Sequence, residues 1–304
     1  MKQISASVFT EDGFSVPPKI RGCNPSYVLT PAGIVLIDTP QHPTDALRWR
    51  RELAEKGEIH YIFNTHHHID HITGNAYLPG TVISHEGVRA LFFNPPVEWM
   101  VATERVEEVA RIGKGIIGYM RLLIGEREPE CIPYFDTYTL RPPEITFSEN
   151  LTLYFGGLTF QAMHMPGHTP SHICVYLPEE KIFFAGDNFT MGTQPSLAHS
   201  MPLEWVESLK KMEALDIDVI VPGHGGVTEK SAIPPFRRFL ENCIAMVQEA
   251  MKKGMSEEES ASTISFEGLD PGAGNIQAVH PGTAMQRRNV KRLYQTLSKK
   301  SRGS

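Results

Sequence analysis

Short apolar runs, each closed by Gly, Pro or a polar residue, alternate along this chain with longer segments of helical spacing. Ser26–Thr30 and Gly33–Asp38, joined through Pro31-Ala32-Gly33, predict a hairpin. Pro43–Lys56 has helical spacing, with Thr44 as cap and Gly57 as stop. A strand over His60–Phe63, a strand over Thr81–Ser84 and a helix over Glu86–Phe93 come next. After residue 145 the runs Leu151–Phe155, Leu158–Met163, Ile173–Leu177 and Ile182–Phe184 read as strands. An amphipathic helix over Pro202–Leu215 then leads to a last core strand, Ile217–Val221. Hairpins first, with helices between later strands, predict an α/β fold of two sheets covered outside by helices.

Two segments exceed that core. Residues 94–145 are rich in apolar side chains, among them Trp99, Met100, Val106, Val109, Ile112, Ile116 and Met120, and Gly113, Gly115 and Gly118 interrupt the helical spacing. This insertion reads as a lid offering an apolar wall to a substrate tail, or as a helical pair packed for stability or dimerisation. Residues 231–304 form a helical extension to a domain spanning 1–230, with helices over Phe236–Lys253 and Met285–Lys299 and a capped start at Ser256. In the last helix Arg287, Arg288, Lys291 and Arg292 form either a solvated face or a contact for an anionic substrate part such as a coenzyme A phosphate.

Composition narrows the class. Of 304 residues, 41% are hydrophobic and 21% charged, which describes a globular protein with ample core. A net charge of −6 argues against a partner recognised through a phosphate backbone, so no nucleic acid is expected. Cys23, Cys131, Cys174 and Cys243 are far apart and read as buried free thiols. No run has the length needed to cross a bilayer, and the first residues lack the apolar core of a signal peptide. The expectation is a cytoplasmic protein without membrane contact.

The chemistry concentrates in His66-His67-His68-Ile69-Asp70-His71, directly after an apolar strand. Neutral imidazole and carboxylate are ligands of zinc and similar ions. In an extended segment residues i and i+2 share a face, so His66 and His68 grip one ion while His67 points away. Asp70 and His71 begin the next turn and reach a second. Three further polar residues stand beside glycines at strand exits: His168, Asp187 and His224. Singly, each has a bland reading, a surface histidine or a turn-forming aspartate. His172, four residues past His168, either orients a ligand or packs as an ordinary side chain. His42, His60, His85, His164, His199 and His280 have no supporting context.

With this ordered set, the chain resembles the metallo-β-lactamase superfamily over residues 20–228, and most closely its glyoxalase II branch, through Thr65–His71 with Gly74-Asn75. The resemblance implies an αββα four-layer sandwich. It places His66, His68 and His168 on a first metal, Asp70, His71 and His224 on a second, and Asp187 between them. A histidine at 68 separates the chain from the flavodiiron proteins, and an aspartate at 187 from true class B β-lactamases. The implied cofactors are two divalent ions, zinc first, with iron or manganese as alternatives. The implied reaction is attack by a metal-bridging hydroxide on a thioester, ester or lactone with an apolar acyl part. Asp70 would orient the nucleophile and pass a proton to the leaving group. Phosphodiester hydrolysis at the same site, or a metal-containing ligand sensor without catalysis, are the alternatives. The expected partners are a small-molecule acyl substrate and a second copy of the chain. Glyoxalase II also ends in a helical appendage that binds glutathione, whereas an insertion at 94–145 is foreign to its pattern.

Overall fold

The computed structural model describes residues 1–12, 14, 21–93, 115–192, 194–266, 268–269 and 284–303. The strands follow chain order across a seven-stranded sheet: β1 (Lys2–Gln3), β2 (Val8–Thr10), β3 (Ser26–Thr30), β4 (Gly33–Ile37), β5 (Ile59–Phe63), β6 (Thr81–His85) and β7 (Ile145–Phe147). The first four are antiparallel neighbours, and β4 to β7 run parallel. A six-stranded sheet holds β8 (Asn150–Phe155), β9 (Leu158–His164), β10 (Ile173–Leu177), β11 (Ile182–Thr190), β12 (Val219–His224) and β13 (Thr228–Glu229), again in chain order. There only β11 and β12 are parallel.

Period-two alternation explains the layers. In β4, Val35 and Ile37 face the space between the sheets, where Phe63, Ile83, Phe160, Val175 and Phe184 meet them. Ile34 and Leu36 face outward onto Trp49 and Leu53 of α1 (Pro43–Ala54). On the other sheet, Cys174, Tyr176 and Phe183 face outward. Residues of α6 (Pro202–Ala214), α7 (Ile233–Lys252), α8 (Glu257–Thr263) and α9 (Ala284–Gly303) cover them. The result is helix, sheet, sheet, helix: the αββα sandwich. Strands apolar on both faces are what this layering requires.

Several boundaries depart from the sequence reading. Thr44 lies inside α1; Pro43 opens the helix, and its missing N–H costs nothing there. The short strands Lys2–Gln3, Val8–Thr10 and Ile145–Phe147 were not predicted, being too brief to show a period. The capped start at Ser256 is present, with Ser256 and Glu259 satisfying each other's backbone N–H groups. Cys23, Cys131, Cys174 and Cys243 are free and buried. No helix among the described residues is long and apolar enough to cross a membrane.

Within the insertion, residues 94–114, which include Trp99, Met100, Val106, Val109 and Ile112, lie outside the described residues. Beyond α3 (Glu86–Phe93), the remainder forms α4 (Gly115–Gly125) and α5 (Ile132–Asp136). Gly118 lies inside α4 rather than interrupting it. Its helical penalty is only about 1 kcal/mol, less than the burial of Met120 and Ile124 returns. With Phe135 and Tyr138, these two side chains pack on Ile69 and Ile72 of the four-residue helix α2 (Ile69–Ile72). Tyr138 Oη donates to the carbonyl of Thr73 (3.2 Å). The described part of the insertion is thus a brace for α2.

Candidate metal centre

Parallel pairing decides where the polar loops emerge. β4 and β5 run side by side in the same direction, so Asp38 and the segment Thr65–His71 leave the sheet at one edge. β11 and β12 are also parallel, with Gly186 opposite Pro222 and Thr190 opposite His224. Asp187 lies within β11 rather than in a loop beyond it. The strand continues to Thr190 with register shifts on either side of Gly186. Gly223 makes the approach of the two strands feasible: a Cβ there would lie 1.9 Å from Asp187 Oδ1. Replacing Gly223 by Ala should therefore displace the Asp187 carboxylate and lower zinc content measured on purified protein. Two tightly held equivalents in that variant would contradict this account.

All seven residues named from the sequence converge. His66, His68, His168 and Asp187 offer ligand atoms lying within 4.8 Å of one another, and so do Asp70, His71 and His224. Asp187 divides its oxygens between the groups. Oδ2 faces His168 Nε2 (3.4 Å) and His66 Nε2 (3.9 Å); Oδ1 faces His71 Nε2 (3.2 Å) and His224 Nε2 (3.4 Å). Asp70 Oδ2 lies 3.2 Å from His224 Nε2 and 3.6 Å from His71 Nε2. His68 turns Nδ1 inward, 3.0 Å from His168 Nε2.

Buried lone pairs this close repel one another unless a proton or a cation lies between them. His66 Nε2, His71 Nε2 and Asp187 Oδ1 are buried and make no hydrogen bond. Each such group ordinarily costs about 1–3 kcal/mol. A nitrogen and oxygen donor set of this kind suits zinc, iron or manganese. The residues fit a pair of divalent cations.

The surrounding side chains fix these orientations. Asp38, at φ +56°, accepts from the Thr65 amide and Thr65 Oγ1 (both 2.8 Å), and its Oδ2 lies 2.8 Å from His71 Nδ1. Thr65 Oγ1 stands 3.1 Å from His66 Nδ1. His172 stacks on His66 with ring centroids 5.1 Å apart. His67 is buried and belongs to neither ligand group. Asn188 accepts from the His168 amide (2.8 Å) and donates to the Met165 carbonyl (2.6 Å). Asn24 reaches across from the first sheet to the carbonyls of Pro222 and Gly225 (2.9 and 2.7 Å).

Sequence reasoning passed over Asp38, Asn188 and His199. A carboxylate placed directly after the buried run Gly33–Ile37 was a usable signal for Asp38. Nothing local marked His199, whose Nδ1 lies 2.9 Å from His68 Nε2. Of the other histidines read as ordinary, His42 contacts Glu128 (3.0 Å) and His85 stacks on His164, all outside the two ligand groups.

Electrostatics divide the centre. Burial drives the imidazoles of His66 and His68 well below histidine's usual value, and takes His168 down to about 4. They are neutral near pH 7. Burial also disfavours charge on His71 and His224, but neighbouring acidic groups prevail. His71 is raised well above the usual value by the carboxylates of Asp187, Asp38 and Asp70, and His224 is pushed up to about 10 by Asp187 and Asp70. In the metal-free protein at pH 7 these two therefore carry protons, which a cation must displace. Uptake at the Asp70–His71–His224 group should strengthen with rising pH more steeply than uptake at the other. Zinc titrations at several pH values, with proton release recorded in weak buffer, check this; equal slopes for both equivalents would refute it.

The sequence profile of the metallo-beta-lactamase superfamily matches residues 19–224. The chain belongs to this superfamily. Members bind divalent metals, and the His/Asp groups here are clusters able to hold them. Linear primary-alkylsulfatase of a Pseudomonas species is 24% identical over 258 residues, 78% of this chain and 48% of that protein. Hydroxyacylglutathione hydrolase of Brucella anthropi is 29% identical over 198 residues, 64% of this chain and 57% of that protein. The chain thus spans about half the length of these curated relatives. A metallo-beta-lactamase family protein from Thermus thermophilus shares the fold, with a TM-score of 0.65, 17% identity and coverage of 98% of this chain and 95% of that one.

Proposed function

We propose that this chain is a metal-dependent hydrolase that cleaves a thioester, ester or lactone with an apolar acyl portion. The observation that carries this reading is the division of Asp187 Oδ2 and Oδ1 between two separate histidine groups. A bound pair of divalent cations would supply a water that loses its proton near pH 7, and Lewis-acid stabilisation of charge on a carbonyl oxygen. The first would be held by His66, His68 and His168, the second by Asp70, His71 and His224, with Asp187 shared. Asp38 holds His71 at Nδ1 and leaves Nε2 directed at the shared space. Asp70, the more exposed of the two site carboxylates at 23% against 9% for Asp187, is the group able to orient the attacking water. It can also carry its proton, on a carboxylate oxygen, to the leaving group.

Two comparisons lend support. One relative is a hydrolase of hydroxyacylglutathione, an acyl thioester, and the alkylsulfatase cleaves an ester of another acid. The test is a panel of acyl thioesters, lactones, an alkyl sulfate and a phosphodiester, assayed with the zinc-loaded protein and with protein stripped by chelator. Thioester or lactone turnover that disappears with the metal supports the proposal. Turnover confined to the phosphodiester or the sulfate would replace the substrate class. Metal without turnover of any substrate, together with tight ligand binding, would make the protein a sensor.

A further inference from the structure

We propose that His199 is a positioning residue of the metal centre, and that the C-terminal helix α9 exists in part to hold it there. The inference rests on the reading of His68 as a ligand of the first cation. His68 directs Nδ1 at the shared space and Nε2 at His199 Nδ1, 2.9 Å away. An imidazole that gives one nitrogen to a cation keeps its proton on the other, and that N–H needs an acceptor to fix tautomer and ring angle. His199 supplies it.

His199 lies outside both sheets. It lies in the segment 194–200 between β11 and α6, and α9 fastens that segment at three points. Asn289 Oδ1 accepts from the Leu197 amide (2.8 Å), and Asn289 Nδ2 donates to the Pro195 carbonyl (3.0 Å). Arg292 Nε donates to the carbonyl of Ser200, the residue after His199 (2.7 Å). Asn289 is 1% exposed, so its amide is committed to these two bonds. One residue further on, the Met201 amide donates to the Gly167 carbonyl (2.7 Å), which joins the segment to the loop bearing His168. Three basic residues of α9 have partners within the chain: Arg292 serves the loop, while Arg287 and Lys291 pair with Glu258.

The experiment uses the full chain and zinc alone. Zinc stoichiometry and affinity, by competition with a chromophoric chelator, are measured for the unaltered protein, His199→Ala, His199→Gln and Asn289→Ala, with cobalt(II) absorption spectra on each. His199→Ala should weaken one of the two equivalents by about 10–100-fold and change the cobalt spectrum of that equivalent alone. His199→Gln, whose side-chain oxygen can accept the His68 proton, should recover most of the affinity. Asn289→Ala should weaken the same equivalent to a smaller extent. If His199→Ala binds both equivalents as tightly as the unaltered protein, or if Gln fails to improve on Ala, the inference is overturned while the metal centre stands. An Asn289→Ala variant with unchanged zinc affinity overturns the role given to α9. An unaltered protein that takes up no zinc removes the metal centre itself, and this inference with it.

Discussion

Replacing Asp187 with Ala should remove both cations together and reduce hydrolysis to the level of metal-stripped protein. The Asp187 carboxylate faces both ligand groups, Oδ2 toward His66 and His168, Oδ1 toward His71 and His224. Its loss leaves each group one ligand short. It also removes the negative charge that would offset two dications in a buried space. The catalytic loss would be large because a bound cation would lower the pKa of its water to about 7, and that lowering goes with the cation. A fall in turnover of the order of 10³ or more is expected. Metal analysis should show less than one equivalent retained. Replacing His68 with Ala should abolish activity too, yet it opens only the first group and should spare part of the second equivalent. An Asp187→Ala protein that kept two tightly bound ions would remove the basis for a shared carboxylate.

The second large effect is expected at Asp38, which touches neither proposed cation. Its carboxylate accepts from the Thr65 amide and hydroxyl and lies against His71 Nδ1, all within 2.8 Å. Asp38→Ala would leave those buried partners unsatisfied, at about 1–3 kcal/mol for each. It would also let the His71 ring turn, with about a 10–100-fold loss of metal affinity. Asp38→Asn separates the two consequences. The amide oxygen can still accept from Thr65, so the fold should melt close to the unaltered protein, while its NH₂ group opposes the His71 Nδ1 proton. Weakened binding of one zinc with nearly unchanged thermal stability is the expected pattern. Unchanged zinc affinity in both variants would show that His71 is oriented by something else.

The convergence of the candidate set was legible because the set is written as spacing. His66, His68, Asp70 and His71 lie within one loop, and each later candidate stands beside a glycine near the end of a strand. The sandwich was legible too, since runs such as Gly33–Ile37 are apolar on both faces and must be covered twice. Part of the strand pattern was not. The strand reading ended at Phe184, whereas β11 runs on through Gly186 and Asp187 to Thr190. Only pairing with β12 reveals that continuation, because a polar stretch inside a sheet has no hydrophobic period. The helix over Gly115–Gly125 was obscured for the opposite reason, its glycines outweighed by tertiary burial of Met120 and Ile124.

By itself the sequence determined the residue types, their order and the elements that carry them, because local periodicity and turn chemistry are properties of neighbouring residues. Tertiary structure alone decided which distant groups meet. Parallel neighbours brought Asp38 beside His71 and Asp187 beside the His224 strand, and a helix about ninety residues downstream set His199 against His68. Contacts of that kind depend on strand order and packing direction, which no short window of sequence contains.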